Sequence, residues 1–451
     1  MEYKGPVITL WLLIELFLGN FRGNLALMIV VLNSALILFL RALLLKGSLP
    51  FRNITIPSFF LLMYFSLMLL PSVIWFTYYQ TQASLDYFMA VQLVPIFFIL
   101  GIWGANFFFS SPSIIIDHFY QINIFSANRI NKTFYSLFLI AGCFEIMIAT
   151  AYIMSSDVVP LFQILLKDEI HGNEIRFAIY NSGAVIIFLY AFAVRILIPL
   201  TVLYPLYMKY SNGRLWGVTF WVSLLVGLFI SLLSLERQSS LSLICLLLLS
   251  VYFLQGQRIR FLQFWGLFAC IALLGGLVSL AQYGNTLDAM ALVERGVSYV
   301  LMRVLLDPSY MTYLIFETYA DSDLLWGTTI RFLSLLGVHY EHVSAIGFLA
   351  DLWINFGWGG IILGPVVLGF FLQYVQLSFF IIRNVPVMIL YGIIILGTCW
   401  LIYSNMLPTM VSVVYAFGLI MMGWLRGADA GKKASGRFRV ANSDEKRSKV
   451  M

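Results

Sequence analysis

Apolar runs long enough to cross a bilayer recur from one end of this 451-residue chain to the other, with only short polar stretches between them. A helix needs about 20 mostly apolar residues to span the roughly 30 Å hydrocarbon layer, where only helices or closed barrels satisfy every backbone polar group. The alternation of a barrel strand is absent, so an all-α, polytopic membrane protein is expected. Gly, Pro and charged breaks divide the runs into about 12 spans, near residues 5–20, 24–45, 57–79, 86–109, 133–156, 182–207, 216–235, 241–255, 262–282, 357–382, 386–404 and 407–425. Residues 1–425 then form one transmembrane domain and 426–451 a basic tail. Glu15 interrupts the first run, and no small-residue cleavage site follows it, which argues against a signal peptide.

Composition agrees, with 61% hydrophobic and 11% charged residues. The net charge of +6 is concentrated in the tail, which holds eight Lys/Arg against three Asp/Glu. The remaining nineteen basic and eighteen acidic residues nearly cancel. A basic tail beside an anionic membrane surface accounts for this pattern, and nucleic acid is not expected as a partner. Cys143, Cys245, Cys270 and Cys399 all fall in apolar runs, where they form neither an exposed disulfide framework nor a zinc motif. No metal or other cofactor is expected.

Short cytoplasmic loops collect Lys and Arg. With the tail inside, alternation puts Lys4, Arg41, Lys46, Arg52, Arg129, Lys132, Lys209, Arg214, Arg258, Arg260 and Arg383 inside as well, so both termini are cytoplasmic. The outer side keeps Arg22, Lys167, Arg176, Arg237, Arg295, Arg303 and Arg331, six of them arginines. Arginine suits bidentate recognition of phosphate or carboxylate, whereas lysine would serve general attraction to lipids equally well. One outer region, about residues 284–356, is much the largest and reads as amphipathic helices that should pack on the membrane domain. Within it Arg295, Tyr299 and Arg303 recur every four residues, which places them in one stripe of a helix. The competing reading is a set of arginines snorkelling to headgroups.

The densest polar signal runs from His339 to Gly364 and gathers His342, Glu341, Asp351, Asn355, Gly357, Gly359 and Gly360. A re-entrant or interfacial helix fits it, with the glycines allowing close backbone approach. A neutral imidazole at His342 is suited to take a proton from a sugar hydroxyl, oriented by Glu341 or Asp351. Equally, the histidines face water and the glycines serve helix packing. Inside the spans, Glu145 and Arg195 fall at similar depth on adjacent antiparallel helices and are expected to form a buried pair, with Arg195 an alternative anion ligand. Arg237 sits at a short outer turn, as an anion contact or an ordinary hairpin residue. Tyr310, Tyr313, Trp326 and Trp353 suit stacking on a sugar or, as commonly, membership of an interfacial aromatic belt.

With its twelve spans, one large late outer loop, LERQSS at 235–240 and HVSAIGFLADLWINFGWGG at 342–360, the chain resembles bacterial O-antigen polymerases and the related O-antigen ligases. The resemblance implies polymerisation of undecaprenyl-diphosphate-linked oligosaccharide units at the outer face of the bacterial inner membrane, with a chain-length regulator as a protein partner. It implies diphosphate contacts at Arg237, Arg295, Arg303 and Arg331 and a reaction role for His342. A transporter or flippase is the rival reading, since twelve spans suit it too. No self-similarity between the two halves of the chain supports that rival, and the polar residues gather on one side rather than around a midplane.

Overall fold

A computed structural model describes residues 21–45, 55–109, 112–121, 132–155, 159, 184–212, 214–233, 243–244, 246–248, 250–251, 266, 306–320, 322–326, 347–381 and 385–400. Among these residues the regular elements are all helical. They are α1 (Phe21–Leu45), α2 (Ile56–Tyr78), α3 (Gln82–Asn106), α4 (Pro112–Gln121), α5 (Lys132–Ser155), α6 (184–212), α7 (Arg214–Leu233), α8 (Asp307–Thr318), α9 (Phe348–Ile381) and α10 (Val385–Trp400). Seven of them, α1 to α3, α5 to α7 and α9, are long and apolar enough to cross a membrane. They coincide with the runs expected at 24–45, 57–79, 86–109, 133–156, 182–207, 216–235 and 357–382, and α10 occupies the run at 386–404. The expected runs at 5–20, 262–282 and 407–425 and the tail lie outside the described residues apart from Gly266, and the run at 241–255 is described only in part.

Two spans share one local device. In α2 a π-helical turn covers Phe65–Leu69 and closes with the Leu70 N–H donating to the Phe65 carbonyl. In α6 the same turn covers Ala193–Leu197 and closes with Ile198 on Ala193. Each turn is followed, after one residue, by a proline, Pro71 or Pro199. Proline lacks an N–H and its ring collides with the carbonyl four residues back, so widening the preceding turn relieves the collision without breaking the helix.

Helix α9 contains a sharp reversal at Gly357, whose φ of 55° and ψ of −141° lie in a region that glycine alone adopts freely. Its first arm, 348–356, folds back along its second, 358–381. A methyl on Gly360 would overlap the Leu352 carbonyl, and one on Gly364 would overlap the Leu352 side chain. In a straight helix residues eight apart lie about 12 Å from each other, so these contacts require an antiparallel hairpin. The expected close approach thus falls at Gly360, while Gly357 provides the reversal and Gly359 has open space beside it. Gly357→Ala should cost about 1–3 kcal/mol through the forced dihedral, read as a lower melting temperature of the purified protein.

The second arm lies tightly along α3, where small residues let the backbones meet. A methyl on Gly101 would overlap the Val366 carbonyl, and one on Gly369 would overlap the Phe98 carbonyl. Further along, the Gln373 Nε2 donates to Asn106 Oδ1 at 2.9 Å. Buried amides tie the other helices together. Asn33 Nδ2 of α1 reaches the Gln92 carbonyl and Oε1 of α3, both at 2.8 Å. Gln376 Oε1 accepts from the Ile56 N–H at 2.7 Å and the Tyr391 hydroxyl at 3.2 Å, joining the start of α2 to α9 and α10.

Candidate functional site

The two arms of α9 define a half-membrane element. The first arm is about 13 Å long at 1.5 Å per residue, less than half of the hydrocarbon thickness. Its first residue, Phe348, is buried with its ring 5.5 Å from Phe60 and 5.8 Å from Tyr64. Phe60 in turn stacks on Phe98 at 4.7 Å, on the order of 20 Å along α3 from the Gln82 end. The chain therefore rises from deep between the spans, reverses at Gly357 and descends again as a full span. The segment before Gly357 is helical, as both the re-entrant and the interfacial expectation require. Backbone can end at such depth where protein surrounds it, as the aromatic packing does here.

Over the Gly357 end lies part of the large loop. Helix α8 packs on α2, α3 and α9. It is fixed by one hydroxyl: Ser309 Oγ accepts from Trp75 Nε1 at 3.0 Å and lies 2.6 Å from the Tyr87 hydroxyl, with Ser309 and Tyr87 fully buried. Around this point Trp75 and Tyr310 lie 4.8 Å apart, Tyr79 stacks on Tyr313 at 4.6 Å, and Phe316 stacks on Trp353 at 4.3 Å. Burial pushes the Tyr79 phenol well up, aided by its Tyr310 neighbour, and pushes Tyr313 up to about 12, so both stay protonated. Ser309→Ala would remove the acceptor of the part-buried Trp75 N–H and the partner of the buried Tyr87 hydroxyl. The expected loss is about 1–3 kcal/mol, measurable by thermal unfolding in detergent.

This packing corrects the sugar-stacking expectation. Tyr313 is fully buried beneath Tyr79, and Trp353 has Phe316 on one face and the edge of Trp358 at 5.5 Å. Both serve the protein's own core. Trp326 differs: it is 73% exposed, touches only the edge of Phe356 among the described rings, and holds a positive φ of 48° that a bulky residue rarely adopts. The neighbouring Leu325 N–H caps the end of the first arm by donating to the Ile354 carbonyl at 3.1 Å.

On the first arm, Asp351 and Asn355 are both fully buried, and Asn355 Nδ2 donates to the Asp351 carbonyl at 2.8 Å and its Oδ1 at 3.0 Å. The four-residue spacing thus does place both side chains on one face. His342 and Glu341 lie outside the described residues, as do Arg237, Arg295, Arg303 and Arg331. The described part of the candidate site is therefore the half-helix with its Asp351–Asn355 pair, roofed by α8 and 322–326.

The expected Glu145–Arg195 pair does not form. Glu145, 2% exposed on α5, accepts a hydrogen bond from Thr201 Oγ1 of α6 at 2.7 Å. Arg195 is exposed on α6, within the π-helical turn. The depth inference was sound, since Tyr152 stacks on Tyr190 at 4.2 Å and Phe138 lies 5.2 Å from Tyr204, which sets the two residues nearly level. Their faces differ, because six residues separate Arg195 from Thr201 and carry it about 240° around a helix. No family model, curated protein or solved structure matches this chain.

Proposed function

We propose that this protein is a polymerase of the bacterial inner membrane that joins undecaprenyl-diphosphate-linked oligosaccharide units into a surface glycan, with both termini cytoplasmic and the α8 side facing outward. The observation that carries the reading is the half-helix of α9, sunk among the spans and covered by the late loop on the side that the charge distribution marks as outer. A site built among the spans suits a substrate whose lipid stays in the bilayer. The skew of arginines to that side suits a diphosphate.

In the proposed reaction a hydroxyl of the incoming unit attacks the anomeric carbon of the growing glycan. A new carbon–oxygen bond forms as the bond to the diphosphate breaks, and undecaprenyl diphosphate leaves with the electron pair. Arginines among Arg237, Arg295, Arg303 and Arg331 stabilise the charge developing on that leaving group. His342, oriented by Glu341, takes the hydroxyl proton. Displacement in line predicts inversion at the anomeric carbon. Asp351 enters indirectly: its buried bond with Asn355 fixes the half-helix that follows His342.

The test is single replacement of Arg295, Arg303 and His342 by alanine in a strain that depends on this chain, with surface glycan resolved on a gel. Loss of long chains with single units still attached is expected. An unchanged ladder in all three removes the assignment, and loss of every unit assigns transport.

A further inference from the structure

We propose that Arg195 holds the phosphate of an anionic lipid that reaches α6 sideways from the bilayer. This rests on the membrane-spanning character of α6 and on the placement of Arg195, and it deepens the polymerase reading by assigning one arginine to the lipid-facing route rather than to the outer loops. Arg195 lies within the apolar part of α6, fourteen residues or about 21 Å from Lys209 and eleven residues or about 16 Å from the Ala184 end. That end shares a side with the Gly357 reversal: α5 and α6 run antiparallel, with Tyr152 against Tyr190, and the loops between spans alternate. A guanidinium exposed at this depth is unfavourable unless something outside the helix solvates it.

The obvious internal counter-charge is not used. Glu145, at nearly the same level, is buried and bonded to Thr201 on another face. Among the described residues no side chain pairs with Arg195. The π-helical turn that carries it is followed by Pro199, which has no N–H to give. A charged fork in an otherwise apolar span is suited to a phosphate ester. Arginine binds such oxygens in bidentate fashion, and its apolar stem lets the head lift toward the headgroup layer. A soluble anion is a poor fit, because it would have to leave water to arrive there. The shared chemistry of a phosphoglycerol headgroup and a polyprenyl diphosphate is a membrane-held phosphate, and the two sources are separable.

The full chain in nanodiscs of phosphatidylcholine would be offered undecaprenyl diphosphate, phosphatidylglycerol or undecaprenol, and retained lipid would be counted by native mass spectrometry. The wild type should retain one or both phosphate-bearing lipids and no undecaprenol. Arg195→Gln should lower that retention at least tenfold, and Arg195→Lys should restore part of it. Loss confined to undecaprenyl diphosphate identifies the polymerase's own carrier, and loss confined to phosphatidylglycerol identifies a headgroup site. Equal retention by wild type and Arg195→Gln, or retention of undecaprenol by the wild type, overturns the proposal. The undecaprenol comparison needs no variant, so it decides even if a substitution prevents folding. The readout involves no glycan, so failure here leaves the polymerase reading to its own test.

Discussion

Gly101→Leu should be the most damaging single substitution in the membrane domain. The α3–α9 crossing is made by backbone, with Gly101 against Val366 and Phe370 and Gly369 against Phe98. A side chain placed there meets carbonyl and amide atoms that no rotamer change can move, so the helices must separate. Overpacking typically costs about 1–3 kcal/mol, and relief here would also pull apart the Gln373–Asn106 bond one turn away. The expected result is loss of folded protein on size-exclusion chromatography in detergent. Gly104→Leu is the matched control, because its methyl position meets only a Phe370 ring carbon at 3.7 Å, and the milder change there should leave most of the protein folded. Similar losses at both positions would show that the crossing is not what Gly101 supplies.

The second large effect is expected at Asn355→Leu. The substitution nearly preserves volume but removes the amide that donates to both oxygen types of Asp351, in a place with no access to solvent. Losing these two hydrogen bonds between buried partners costs about 1–3 kcal/mol. Stability should fall by that order, and glycan polymerisation should be lost because the half-helix is no longer held. A double-mutant cycle with Asp351→Leu measures the pair: the double variant should be destabilised by less than the sum of the two single variants, and strict additivity would show that the pair does not carry the energy assigned to it.

Both effects concern contacts that hydropathy does not reveal. Runs of apolar residues located seven spans to within a few residues, because the length needed to cross the bilayer is a strong one-dimensional constraint. Pairing is three-dimensional. Glu145 and Arg195 were rightly put at one depth and wrongly on facing sides, and the π-helical turn ahead of Pro199 shifts the helix register in between. Pro71 and Pro199 in mid-span were the available signals for both such turns. Helix α4 lies between two expected spans, where Ser110, Ser111 and Pro112 are an ordinary helix-start sequence. The glycines at 357–360 pointed to close backbone approach, which Gly360 makes against Leu352, but not to the reversal at Gly357. Aromatic residues were the least legible: Tyr313 and Trp353 stack inside the protein, and only neighbouring elements decide whether a ring faces a core or a sugar.

The central claim is that this chain forms glycosidic bonds between lipid-linked units. Its most direct measurement uses the purified full chain in liposomes containing an undecaprenyl-diphosphate-linked oligosaccharide, with products followed by mass spectrometry. Glycans of two or more units should accumulate, with one undecaprenyl diphosphate released for each bond formed. Substrate that crosses the bilayer while remaining at a single unit would contradict the account and assign the protein to transport.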